Sequence, residues 1–211
     1  LIDLGGADSF TAGPPDNVTL GLTDTELNTI TASQITIGAT NGANIDNTAP
    51  VSPGSVTTML LVTDGWVDDT GNTGSIIVTN LAIDADTGIG GTNAIDVTVT
   101  DLAAYNSTSG NIRINEADNV NIGSVAGITG VVNDVGSVHI STTDGTINVS
   151  EVVTAGGAGS DVILDANSGL NTADIAIGAD ITAADDIHLQ AANAITRNAG
   201  TVSGDQIFLD A

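Results

Sequence analysis

A short phrase returns three times toward the C-terminal end of this chain: Asp161-Val-Ile-Leu-Asp-Ala166, Asp186-Ile-His-Leu-Gln-Ala191 and Asp205-Gln-Ile-Phe-Leu-Asp-Ala211. Each copy holds an apolar-x-apolar triplet closed by a polar residue and Ala. So short a triplet cannot build a core of its own. Recurring every 20 to 25 residues or so, it is stable only when each apolar face is buried on the next copy, which is the logic of stacked repeats.

Counting back from the phrase gives triplets in threes. From Asn111 they are Ile112-Arg-Ile114, Val120-Asn-Ile122 and the run from Ile128 to Val132, then Val138-His-Ile140, Ile147-Asn-Val149 and Val152-Val-Thr154. Next come Val162-Ile-Leu164, Ile175-Ala-Ile177 and Ile181-Thr-Ala183, then Ile187-His-Leu189, the run at Ile195 and Val202, and finally Ile207-Phe-Leu209. The first strand of each group recurs after 26, 24, 25 and 20 residues. This predicts an all-β, right-handed parallel β-helix with three short strands in each coil of roughly 20 to 28 residues, since parallel crossovers are almost always right-handed. Alternation within a strand sends Ile112, Ile114, Val138, Ile140, Val162, Leu164, Ile187, Leu189, Ile207 and Leu209 inward. It leaves Arg113, His139, Ile163, His188 and Phe208 outside. At about 4.8 Å per coil the chain makes roughly nine coils and a rod about 45 Å long, with open ends that invite association.

Composition agrees with thin layers rather than a compact core. The 211 residues carry two Lys+Arg against 26 Asp+Glu, a net charge of -24, and only 2% aromatic residues against 41% hydrophobic ones. High charge with few aromatics is also the signature of disorder, but strict alternation of Ile and Val opposes that reading. The acidic excess argues against nucleic acid and anionic membrane surfaces as partners. No apolar run approaches the ~18 residues of a spanning helix. With no Cys there is no disulfide framework and no thiolate metal site. The chain starts without Met or a signal segment, so it reads as an excerpt or a processed product.

Residues 1–211 are expected to form a single β-helix domain, most regular over 111–211. Loop excursions fall near 47–56, where Asn47-Thr-Ala-Pro-Val-Ser-Pro-Gly54 mixes Pro, Ser and Gly, and near 64–75, which carries the single Trp. Strand-like runs around them, Met59 to Val62, Ile76 to Val78, Leu81 to Ile83 and Ile95 to Val99, show irregular spacing. A turn is expected at Gly13-Pro-Pro-Asp-Asn17. Thr23 with Glu26 forms a capping box for one helical turn, followed by a strand at Ile35-Thr-Ile37. This stretch, Leu22-Thr-Asp-Thr-Glu-Leu-Asn-Thr-Ile30 leading into Ile35-Thr-Ile-Gly38, resembles segments of filamentous-haemagglutinin-like exoproteins. The resemblance implies a large secreted passenger protein with a β-helix shaft.

Asp161 and Asp186 occupy equivalent places on adjacent coils, about 5 Å apart, where a calcium ion would remove a repulsion worth about 0.9 kcal/mol in water. Calcium is the one cofactor expected. Gly156-Gly-Ala-Gly-Ser-Asp161 matches a single calcium nonapeptide, yet without a tandem copy it reads as a Gly-rich turn. Asp84-Ala-Asp-Thr-Gly88 reads as a solvated turn. His139 and His188 are read as surface residues, too far apart for one zinc ion. Trp66 and Tyr105 are candidate glycan contacts, with packing over the coil edge as the alternative. Sequons stand at Asn17, Asn106 and Asn148. With no catalytic constellation in the sequence, an enzyme is not expected. The expected function is a non-catalytic structural shaft of a secreted or cell-surface adhesin-like protein. Its partners would be further coils of the same chain or other copies stacked end to end, with a glycan or cell-surface receptor beside them. The alternative is a subunit of a self-assembling filament, and a polysaccharide-cleaving β-helix enzyme comes third.

Overall fold

A computed structural model of the chain describes residues 1–11, 17–39, 43–166 and 172–211; the expected turn at 13–16 lies outside them. The chain is an all-β solenoid of about nine turns, with one helix of four residues among the described residues, and its sheets are built mainly of parallel strands stacked coil on coil. Strand Ile112–Glu116 pairs in register with Val138–Thr142, that strand with Val162–Ala166, the next with Ile187–Ala191, and the last with Ile207–Asp210. The expected inward ladder therefore stands: Ile112, Val138, Val162 and Ile187 are all fully buried. Ile207 and Leu209 depart from it, being 44% and 62% exposed, because no coil lies above them.

The third strand of the first group differs from the expectation. Ile128 belongs to a small antiparallel hairpin, Ser124–Val125 with Ile128–Thr129, and the strand that joins the stack is Val131–Asn133. The reason is the turn Ala126-Gly127, both at positive φ, which reverses the chain. The hairpin lies back over the coils below, so that Val125 and Ile128 cover the outward Ala82 and Ala103. Two small side chains make that seat.

Below residue 111 the stack is also in register, but its corners lie elsewhere. Strands Gln34–Ala39, Thr58–Thr63, Asn80–Ala85 and Asp101–Asn106 each run six residues and pair along their full length. In the next turn this long strand divides: Asp101 and Leu102 pair with Val120–Ile122, whereas Ala104 to Asn106 pair with Val131–Asn133. The opposite face changes the other way. Its lower coils are broken into Ile45–Asn47 with Pro50–Val51, and Val67–Asp68 with Ser75–Ile77, while Ile112–Glu116 runs straight across. The stretches near 47–56 and 64–75 thus contain short strands joined by corner turns. A search for triplets misses this half because two short strands have fused into one and one has split.

The two ends differ. At the N-terminal end the strand Asn17–Leu22 lies outside Ile2–Leu4, and the helix Asp24–Leu27 follows it. Thr23 and Glu26 form the expected capping box, with Thr23 N donating to the Glu26 carboxylate at 3.0 Å and Glu26 N donating to Thr23 Oγ1 at 3.3 Å. Leu27 is fully buried in the core, with Leu22, Ile30 and Ile35 packed against it. At the C-terminal end a depression of about 490 Å³ opens between Leu189, Ile195, Val202, Ile207 and Leu209.

Candidate functional site

Parallel stacking leaves a recurring problem at each corner, where a backbone N–H at the start of a strand must find an acceptor. This chain solves it with a polar residue placed just before the strand. On the face that begins at Asn111, the Asn111 Oδ1 accepts from Ser137 N at 3.0 Å, Ser137 Oγ from Asp161 N at 3.1 Å, Asp161 Oδ1 from Asp186 N at 3.0 Å, and Asp186 Oδ1 from Gln206 N at 3.1 Å. The second corner repeats the device from Asn119 to Thr146 N and from Thr146 to Asp174 N. The third uses Asp180 and Thr201 N. The Asp that opens the repeated phrase is therefore a cap for the next coil.

Asp161 and Asp186 are brought together as expected, and each carboxylate holds a backbone amide of the coil above. Among the described residues no group of three or more His, Cys, Asp or Glu converges on a metal position. Repulsion within this acidic column is visible at Asp185, whose carboxyl is pushed above the ordinary range by Asp186 first, then by desolvation, Asp161 and Asp205. Asp161→Asn keeps the acceptor and removes one charge. It should raise the melting temperature slightly at low salt, by the equivalent of about 0.5 kcal/mol, and the gain should fade in high salt. Calcium bound between the two carboxylates would reverse the outcome: calcium would then stabilise the parent chain, EDTA would undo it, and the Asn variant would respond to neither.

A second acidic column, overlooked in the sequence, runs up the lower coils. Asp3, Asp46 and Asp68 pair in register. Asp3 accepts from the Thr48 hydroxyl, Asp46 from Thr70 N at 3.0 Å and Thr70 Oγ1 at 2.6 Å, and Asp68 from Thr92 N at 2.9 Å. Asp69, fully buried, caps Thr73 N and Gly74 N across the same corner. The signal was present as Ile45-Asp-Asn-Thr48, Val67-Asp-Asp-Thr70 and Ile89-Gly-Gly-Thr92, spaced by 22 residues. In each copy the Thr bonds to the Asp one coil below.

Three interior polar residues, Asn106, Asn133 and Glu116, also lie outside the sequence-based expectations for the core. Asn106 and Asn133 are fully buried and stacked, with Asn106 Nδ2 donating to Asn133 Oδ1 at 2.9 Å. Glu116 occupies a core position between Val97 and Thr142. Its carboxylate accepts from Val99 N at 3.1 Å, Ala117 N at 3.0 Å and Asp118 N at 3.3 Å. Burial outweighs these donors and pushes its carboxyl up from 4.5 to about 7. A raised acid makes the fold prefer the protonated form, so this contribution is complete below about pH 4.5 and is lost as pH rises through 7. The expected cost between pH 5 and pH 8 is roughly 2 kcal/mol. Glu116→Gln should flatten that part of the thermal-stability profile; a variant profile parallel to the parent's would assign the slope to the surface carboxylates.

The remaining sequence candidates are placed as follows. Trp66 is half-buried at the first corner, and its backbone N–H donates to Asn44 Oδ1 at 3.2 Å. Tyr105 faces outward from Asp101–Asn106 and donates its hydroxyl to Asp134 Oδ2 at 2.7 Å, which raises its pKa. The two aromatics occupy different columns. Asp84 points outward, its carboxyl raised by desolvation, Asp86 and Asp64, while Asp86 Oδ1 accepts from Ser107 Oγ. The segment from Gly156 is a turn; a Cβ on Gly157 would stand 2.1 Å from Val135 O, so the close approach of two coils requires glycine there. His139 and His188 share an outward column with Ile163 between them, and His188 stacks on Phe208 at 4.5 Å between ring centroids. Of the sequons, Asn106 is buried with its amide engaged, Asn148 is half-exposed on Ile147–Val149, and the Asn17 side chain lies outside the described residues. No helix among the described residues is long and apolar enough to cross a membrane. Comparison with protein-family models, with curated proteins and with solved structures finds no match to this chain.

Proposed function

We propose that this chain is a non-catalytic shaft segment of a large secreted or cell-surface protein of the filamentous-haemagglutinin-like kind. The observation that carries the reading is the use made of the polar residues: the corner Asp, Asn, Ser and Thr side chains bind the backbone of a neighbouring coil. Such a chain is a rigid spacer whose chemistry holds its own turns together. The mass of the native polypeptide tests this. A value well above 20.8 kDa, with further coils in the additional sequence, is expected; a native polypeptide of 20.8 kDa would overturn it.

The exposed Ile207, Phe208 and Leu209 favour one second reading, a filament subunit whose open coil meets another copy. Under that reading the chain sediments as a concentration-dependent polymer, whereas Leu209→Asp sediments as a monomer. A glycan-degradation screen over pectins and neutral polysaccharides tests the non-catalytic part, and release of reducing ends would sink it.

A further inference from the structure

The tripeptide Thr-Asp-Gly occurs twice in this chain, as Thr63-Asp64-Gly65 and Thr143-Asp144-Gly145. Each copy turns a corner of the stack at the end of a strand, Thr58–Thr63 in one case and Val138–Thr142 in the other. Both Asp residues are exposed, and neither carboxylate takes a hydrogen bond among the described residues. In sequence the two copies are alike. What separates them is the amide of the glycine.

At the lower copy that amide is tied down. Gly65 N donates to Thr63 Oγ1 at 2.9 Å, and Gly65 O accepts from Asp86 N at 3.1 Å and Thr87 N at 3.0 Å. At the upper copy the hydroxyl comes from Thr142, and it donates to Gly145 O instead. Among the described residues Gly145 N has no acceptor and Asp144 O has no donor. An aspartate followed by glycine carries its own reactant, because no side chain hinders the glycine nitrogen from reaching the carboxyl one residue back. Attack of Gly145 N on Asp144 Cγ forms a C–N bond and expels water, the carboxyl giving up its hydroxyl and the amide its proton, to close a succinimide ring. Water then adds to one ring carbonyl and breaks one C–N bond. Opening at the Asp144 main-chain carbonyl leaves isoaspartate, with no net change in mass and a backbone longer by one methylene.

We propose that Asp144-Gly145 is a spontaneous isomerisation site, set at a corner that cannot absorb the longer backbone. Gly145 is buried against the coil below, where a Cβ would stand 2.2 Å from both Asp118 C and Asp118 O. Beside it Thr146 N donates to Asn119 Oδ1 at 2.8 Å and Thr146 Oγ1 accepts from Asp174 N at 3.2 Å, so one residue links three coils. Added length at 144 displaces Thr146 and uncaps strands Ile147–Val149 and Asp174–Ile177 together. The rod then loosens at one level. This inference needs no partner and no particular location, so it stands apart from the shaft reading.

The test is ageing of the purified chain for several weeks at mildly acidic pH and body temperature. Peptide mapping with electron-transfer fragmentation, which tells isoaspartate from aspartate at equal mass, reads the result. Isoaspartate is expected at 144 in roughly fivefold or greater excess over 64, the factor equivalent to the one net hydrogen bond that holds Gly65 N. Asp144→Glu, at an exposed position, should abolish the reaction because the ring would need an extra member. Thr63→Val removes the acceptor of Gly65 N and should raise the yield at 64; if that variant fails to fold, the comparison of the two sites in the parent chain still decides. Hydrogen exchange in Ile147–Val149 and Asp174–Ile177 should accelerate in the aged parent and stay unchanged in aged Asp144→Glu. Equal yields at the two sites, an excess at 64, or no isoaspartate at 144 while a free Thr-Asp-Gly peptide isomerises alongside would overturn the proposal. So would a folded Thr63→Val with no gain at 64, or unchanged exchange in the aged parent.

Discussion

Replacing Asn133 by alanine should destabilise the fold by about 4 kcal/mol or more, since each buried group left unpaired costs roughly 1 to 3 kcal/mol. The fully buried amide serves five partners. It donates to Gly110 O and Ser137 O, both at 3.1 Å, and accepts from Asn106 Nδ2, from Val135 N at 3.2 Å and from Gly136 N at 3.0 Å. Truncation strands donors and acceptors on two coils at once. The position itself does not demand a polar residue, because Ala85 below and Ala155 above occupy the same column. What demands it is the corner turn after Val131–Asn133. In chemical denaturation Asn106→Ala/Asn133→Ala should lose less than the two single losses added, as expected for a shared network. Strict additivity would mean that the two amides act apart, and a single-variant loss below about 1 kcal/mol would mean that water replaces the missing side chain.

Leu27→Ala should cost roughly 3 kcal/mol, within the 2 to 5 kcal/mol range for truncating a buried Leu. Its distinguishing effect is location. Leu27 is fully buried at the end of the stack, and only one helical turn delivers it there. Hydrogen exchange should therefore accelerate first in strands Ile2–Leu4, Gln34–Ala39 and Ile45–Asn47, with the coils above Ile112 little changed, because a solenoid frays from an uncovered end. Thr23→Ala, which removes only the helix cap, should give the same pattern at about 1 kcal/mol. Uniform loss of protection along the rod would show that the coils unfold as one unit. The uncapped end should also associate at high concentration, since it exposes strand edges, and sedimentation reads this directly.

How far the sequence can be followed depends on what each residue contacts. The upper coils were legible because Ile112, Val138, Val162 and Ile187 repeat at near-constant spacing and alternate with outward residues. The capping box was legible too, since Thr23 and Glu26 are three residues apart and bond locally. The lower coils were not. There Thr58–Thr63 and Asn80–Ala85 do with one six-residue strand what Val120–Ile122 and Val131–Asn133 do with two, and a rule tuned to triplets loses count.

By itself the sequence determined the period, the parallel stacking and the inward set, because alternation and recurrence are one-dimensional properties of the chain. Only the tertiary structure decided what the repeated Asp does. In sequence Asp161 precedes a strand; in space its carboxylate lies under Asp186 N, a partner 25 residues away. The same holds for Asp46 with Thr70, for Glu116 with Val99 N and for Arg113 with Gly90 O. Each pairing joins neighbouring coils, and its sequence separation depends on how many residues the intervening corners consume. Those corners shift along the rod, so the identity of each partner is fixed by the stacked coils and not by spacing along the chain.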